Sequence, residues 1–145
     1  MKRLWLVAVL AGCVEQAENR SSLDEARERW DSAGLDNYVY TFANQCECDG
    51  PYEFTVTVIN GEVDQVDYEP SEYDSQEAID AAGKTIEDWF SEIEEALAAN
   101  PDDTSIAYDG EFGYPTDISV DYDRGMADEE WNSTLSAFEV INVEE

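Results

Sequence analysis

Asn60-Gly61 stands between two short runs in which apolar residues alternate with polar ones. Tyr52, Phe54, Val56 and Val58 alternate with Glu53, Thr55, Thr57 and Ile59 on its left, and Val63 and Val66 follow on its right. A two-residue loop of this type needs positive φ at both central positions, which asparagine and glycine tolerate, so it predicts a β-hairpin with a type I′ turn. In the simple register Val58 faces Val63, but Val66 and Tyr68 would then fall on the opposite face. A one-residue bulge near Asp64-Gln65 restores the inward set.

The stretch before this hairpin is a third strand candidate, Asn37 to Cys46. Tyr38, Tyr40 and Phe42 share one face, and Val39, Thr41 and Ala43 share the other. Two helical stripes flank the three strands. Leu23, Ala26 and Trp30 fall at i, i+3, i+7, behind a Ser22-Leu23-Asp24-Glu25 capping-box pattern and ahead of Gly34. Ile86, Trp89, Phe90, Ile93 and Leu97 form the longer stripe, opened by Thr85 and ended by Asn100-Pro101. A helical turn can start near Ser75, with Gly83 breaking it. Three further strands are expected: Thr104 to Asp109, one led in by Tyr114-Pro115-Thr116 to Ile118 and Val120, and Thr134 to Val143, with Phe138 and Val140 on one face.

The expected fold is α+β, in the order α-βββ-α-βββ. An antiparallel sheet of about five or six strands carries two amphipathic helices on one face. Trp30, Trp89, Phe90, Ile93, Val56, Val58, Ile118 and Val120 are its expected core. A tryptophan in the helix before each strand set, Trp30 and Trp89, hints at a duplicated unit. The length of 145 residues fits one domain.

Charge narrows the partners. The chain has 36 Asp+Glu, 7 Lys+Arg and no histidine. Nothing in such a balance replaces phosphate counterions, which excludes nucleic acid, and it opposes docking on anionic lipid. A solvated acidic surface, suited to a salty habitat, is the plain explanation; a functional acidic face is the other.

The N-terminus places the protein. Met1-Lys2-Arg3 is basic, and Leu4 to Leu10 is an apolar run of seven residues. A membrane-spanning helix needs about 20, so this reads as a short secretion signal. Its end, Leu10-Ala11-Gly12-Cys13, resembles the bacterial lipobox. The resemblance implies cleavage after Gly12 and a lipidated Cys13 as the new N-terminus, with several acyl chains giving stable anchoring. Residues 1–12 are then the signal peptide, 13–22 the lipidated cysteine and a polar tether, and 23–145 the single domain. Loss of Lys2 and Arg3 leaves 5 basic against 36 acidic residues, a net of −31. Val14 in place of aspartate slightly favours the outer membrane of the cell envelope, where one exists.

The whole pattern resembles a bacterial domain-of-unknown-function family of small lipoproteins and secreted proteins. The matching residues are Trp30 before Tyr38-Val39-Tyr40, Cys46-Glu47-Cys48, and the Asn60-Gly61 hairpin. Trp89-Phe90, Gly113-Tyr114-Pro115-Thr116, Asp121-Tyr122 and Ala127-Asp128-Glu129-Glu130 complete it. The resemblance covers residues 23–141. Relatives are expected to carry an aromatic between the cysteines and a proline after them; here stand Glu47 and Asp49, making this corner more polar. The resemblance implies fold and placement and transfers no catalytic residue.

Three chemistries are open to the remaining residues. In an oxidising compartment Cys46 and Cys48 normally pair, as a structural clasp or, since so small a ring is strained, as a redox-active pair. Glu47 and Asp49 would raise the thiol pKa, which argues against a fast nucleophile. Zinc sites want about four donors, and the chain has no histidine and no third free cysteine; two thiolates with Glu47 or Asp49, or a site shared by two chains, are what it could offer zinc or copper(I). Asp121-Tyr122-Asp123-Arg124-Gly125 misses the EF-type pattern, with Met126 and Asn132 where glycine and glutamate belong; a non-EF calcium site at Asp121, Asp123 and Asp128 is the residual candidate. Without histidine, Ser-His and Cys-His catalysis is excluded within the chain. No enzyme activity and no cofactor is implied. The expected function is a non-catalytic, lipid-anchored structural or binding module of the envelope; a thiol–disulfide protein is the alternative and a metal-binding lipoprotein the third.

Overall fold

The computed structural model describes residues 5–44, 53–68, 76, 80, 82–126 and 129–144, and for residues 5–13 the backbone alone. The elements are α1 (Trp5–Ala33), β1 (Tyr38–Asn44), β2 (Glu53–Ile59), β3 (Glu62–Tyr68), α2 (Ile86–Ala98), β4 (Asp103–Tyr108), β5 (Pro115–Asp121) and β6 (Glu130–Val140). One antiparallel sheet runs in the order β3-β2-β1-β6-β5-β4, and both helices pack on one face. The expected order α-βββ-α-βββ holds.

The hairpin forms as its residues dictate. Asn60 and Gly61 sit at φ 53° and 76°. Thr57 pairs with Gln65 and Val58 with Val63, so Asp64 is the extra residue of the bulge. The bulge returns Val66 opposite Val56 and Tyr68 opposite Phe54. The turn is tied back to the α1–β1 connection, where the Gly61 N–H donates to the Asp36 carbonyl at 2.9 Å and the Asn60 N–H to Asn37 Oδ1 at 2.8 Å.

α2 starts with the expected Thr85. Its hydroxyl accepts from the Asp88 N–H at 3.2 Å while Asp88 Oδ2 accepts from the Thr85 N–H at 2.8 Å, a reciprocal cap. Asn100, at φ 52°, ends it. All eight expected core residues are buried, none more than 2% exposed. Ahead of α2, Gln76 and Asp80 are helical and joined by a side-chain hydrogen bond of 3.0 Å.

Three expectations are corrected. α1 does not start at a Ser22 cap: the helix runs unbroken through residues 13–22, so the segment read as a polar tether is helical. Its polar residues keep helical spacing, which a search for apolar stripes passes over. β6 starts at Glu130, four residues ahead of Thr134, and ends at Val140. Its inward position Ser133, only 2% exposed, breaks the apolar alternation and hides the start. Phe138 and Val140 do share one face, that of Tyr38, with Phe138 packed against the core and Val140 43% exposed at the strand end. Finally, the topology opposes a duplication: β1 lies at the sheet centre and β4 at its edge, so the first strands of the two sets are not equivalent.

Candidate functional site

The sequence-predicted site residues fall mostly outside the described structure. Cys46 and Cys48, with Glu47 and Asp49, lie outside the described residues, and so does Asp128. Cys13 lies on the α1 helix by its backbone. Asp123 Oδ1 accepts the Gly125 N–H at 2.8 Å, a local turn. Asp121 pairs in register with Asp103 and Glu130, and its buried Oδ1 finds no hydrogen-bond partner among the described residues. No three acidic or cysteine residues among those described converge to hold a metal ion.

Two regions have a defined chemistry. The first is a polar seam inside the aromatic core, where β1 meets the start of α2. The Tyr38 hydroxyl accepts the Ile86 N–H at 2.9 Å, one of the amides a helix start leaves free. The Tyr40 hydroxyl donates to the Lys84 carbonyl and accepts the Trp89 indole N–H at 2.9 Å. Trp30 donates to Glu87 Oε1 at 2.8 Å, tying α1 to α2. Lys84 Nζ lies 4.6 Å from the Trp89 ring centre and 2.9 Å from Glu92 Oε1. Burial pushes the Tyr38 and Tyr40 phenols well above their ordinary value and that of Tyr108 up to about 12. Tyr38 and Tyr40 are therefore structural hydrogen-bonding groups, and all three phenols stay protonated through the physiological range.

The Gly113-Tyr114-Pro115-Thr116 motif belongs to the same core. Gly113 sits at φ 86°, and a Cβ there would stand 2.2 Å from the Ala26 carbonyl oxygen. The glycine lets the β4–β5 loop press on the α1 backbone. Tyr114 then stacks on Phe138 at 4.4 Å between ring centres, and Phe138 meets Trp30 edge-on at 5.9 Å. The motif is visible in the sequence, but its contact with α1 leaves no local signal there.

The second region is the sheet face opposite the helices. Its centre carries Thr41 opposite Thr55 on one side and Ser136 on the other, with Val39 opposite Thr57. Thr134 lies between Ala43 and Asp117. Carboxylates surround this hydroxyl-rich strip: Asp67 opposite Thr55, Glu139 opposite Val39, and Asp117 and Asp121 on β5. No described helix lies on this face. It can exchange hydrogen bonds across a flat surface and attract cations or basic groups through its described hydroxyls and carboxylates.

Together these features define a small α+β domain with one aromatic, helix-covered sheet face and one open, polar, acidic face. The chain belongs to DUF6174, a family of unknown function, which matches residues 22–140. No curated protein and no solved structure matches it. The matched span is close to the domain read from the sequence, and the lipobox-like segment lies upstream of it.

Proposed function

We propose that this protein is a lipid-anchored component of the bacterial cell envelope. Its family domain would act there as a non-catalytic structural or binding module. The observation that carries this reading is Leu10-Ala11-Gly12-Cys13 behind a basic start and a seven-residue apolar run. No described helix is long and apolar enough to cross a membrane, so an anchor at Cys13 is the attachment the sequence offers. The outer membrane, where the organism has one, is the favoured site, because Val14 and not aspartate follows the cysteine. The open polar face supports a binding role, since its hydroxyls and carboxylates suit a hydrated or basic partner better than an apolar ligand. The thiol–disulfide and metal readings rest on Cys46 and Cys48 and gain nothing from the described geometry.

The test is detergent partitioning of the native protein beside a Cys13→Ser variant. The wild type is expected in the detergent phase with the membrane lipoproteins. The variant is expected to lose that partitioning while keeping its fold. Membrane retention of the variant would contradict the lipid anchor.

A further inference from the structure

Between Cys13 and Leu23 the chain is helical, and one side of that helix is sheltered. Gln16 and Asn19 are half-buried, whereas Val14, Glu15, Ala17, Glu18 and residues 20–22 are exposed. Positions 16, 19, 23, 26 and 30 repeat at three- and four-residue spacing, the seam along which one helix packs on another. The seam is apolar from Leu23 to Trp30 and polar at Gln16 and Asn19, yet it keeps facing the domain. What it faces is the far end of α2 and the start of β4. Gln16, Asn19 and Arg20 line a narrow cleft of about 90 Å³ with Leu97, Pro101 and Asp103.

Charge favours the same docking. The last turn of α2 carries no basic residue of its own, and its free carbonyls favour a cation. Arg20 of α1 lines a cleft with Leu97 and Ala98, which puts a cation near that helix end. One step further along, Arg27 pairs with Glu94 at 3.3 Å, and Trp30 with Glu87. The two helices therefore run antiparallel, matched from Trp30–Glu87 to Arg20–Leu97.

This arrangement fixes which end of the sheet α1 leaves by. Its C-terminal end leads to Tyr38, beside Val58 and the Asn60-Gly61 hairpin. Its N-terminal end emerges at the opposite rim, beside Asp102 and Asp103, which also bind Arg124. Asp121 and Glu130 belong to the same rim by register with Asp103. Gln16 is only three positions after Cys13, roughly 4.5 Å along a helix.

We infer that residues 14–22 are a docked helical stalk that turns the Asp102–Asp103–Arg124 rim toward the lipid headgroups and holds the hairpin end away from them. The inference rests on the lipid anchor proposed at Cys13 and adds an orientation to it. The occupant of the rim side is the headgroup surface. The open sheet face and the hairpin end are left directed along and away from the membrane. A freely jointed tether would instead let the acidic domain, repelled by anionic lipid, tumble above the surface.

The test uses the lipidated protein, purified from membranes, in vesicles of phosphatidylethanolamine and phosphatidylglycerol doped with a headgroup-linked gadolinium chelate. Amide resonances of Asp102, Asp103 and Arg124 are expected to lose most of their signal. Those of Asn60, Gly61 and Glu111, roughly 20 Å away along a seven-residue strand, are expected to keep theirs. Equal losses at both ends, or larger losses at the hairpin, would overturn the orientation. In the same sample the amides of residues 16–22 are expected to exchange as slowly as those of 23–33; unprotected exchange would overturn the docked stalk. Asn19→Pro is expected to abolish the contrast between the two ends while the core stays folded. Asn19→Leu is expected to raise the melting temperature by extending the seam, and no change would speak against docking. Intact mass separates the premises: a Cys13 without lipid removes the anchor, whereas a lipidated Cys13 with evenly broadened ends removes only the stalk.

Discussion

On the helix-covered side of β1 and β2, Tyr38, Tyr40, Phe42, Phe54, Val56 and Val58 are at most 8% exposed. Their immediate neighbours on the other side, Val39, Thr41, Thr55 and Thr57, are only partly shielded and have no described helix over them. The first face buries large rings and hands every hydroxyl and indole of the β1–α2 seam a partner. The second presents hydroxyls and carboxylates that water can satisfy. The difference separates two kinds of demand on one strand. Residues of the covered face decide whether the chain folds, so they are bound to size, shape and hydrogen-bond geometry. Residues of the open face are free of those demands, and a binding role is more economically placed there.

Substitutions sharpen this contrast in order of expected effect. Trp89→Ala is expected to cost about 4 kcal/mol in denaturant unfolding, because it removes a fully buried indole from the middle of the core. It also deprives Tyr40 of a donor and Lys84 of its ring. Gly113→Ala is expected to cost about 3 kcal/mol, from the positive φ and the collision with the Ala26 carbonyl. A loss below about 0.5 kcal/mol, the level of an ordinary surface change, would show that the loop does not need its close approach to α1.

Alkaline titration reads the buried phenols directly. Tyr38 and Tyr40 have folded-state pKa values raised above the unfolded value of about 10. Their contribution is complete below pH 10 and is lost as pH rises toward the folded values, because the unfolded chain releases those protons first. Stability is expected to fall above pH 10 by up to about 1.4 kcal/mol per pH unit for each of the two. Tyr38→Phe is expected to flatten the slope, and a slope unchanged by it would contradict the burial assigned to that hydroxyl. At neutral pH, Tyr40→Phe is expected to cost about 1–2 kcal/mol, since the Trp89 N–H is left buried without its acceptor. The smallest effects belong to the open face. Thr55→Ala and Thr57→Ala are each expected to change stability by less than about 0.5 kcal/mol; losses as large as those on the covered face would erase the distinction between the two.

The covered face was also the legible one. Alternation at Tyr38, Tyr40 and Phe42, helical spacing at Ile86, Trp89 and Ile93, and the Asn60-Gly61 turn are local patterns with a direct physical meaning. Even the bulge at Asp64 followed from requiring Val66 to face inward. Positions where tertiary contacts override the local pattern were hidden. Ser133 occupies an inward site because the Trp131 indole donates to its hydroxyl at 2.9 Å. Ala137 takes φ 50° near a second bulge, where the β1–β6 register shifts between Val39 and Thr41. Gln16 and Asn19 hold a helix seam with polar side chains. The candidate site was less legible than the fold: Cys46, Cys48 and Asp128 lie outside the described residues, and the described hydroxyls and carboxylates of the open face are spread over several strands rather than gathered in one sequence motif.

The lipid anchor at Cys13 underlies both the placement and the orientation proposed for this domain, and the intact mass of the protein extracted from its native membrane tests it most directly. The expected mass lacks residues 1–12 and carries a diacylglyceryl group on an N-terminal Cys13. A mass that retains residues 1–12, or one that shows Cys13 without lipid, would contradict the anchor and leave the family domain without its proposed attachment.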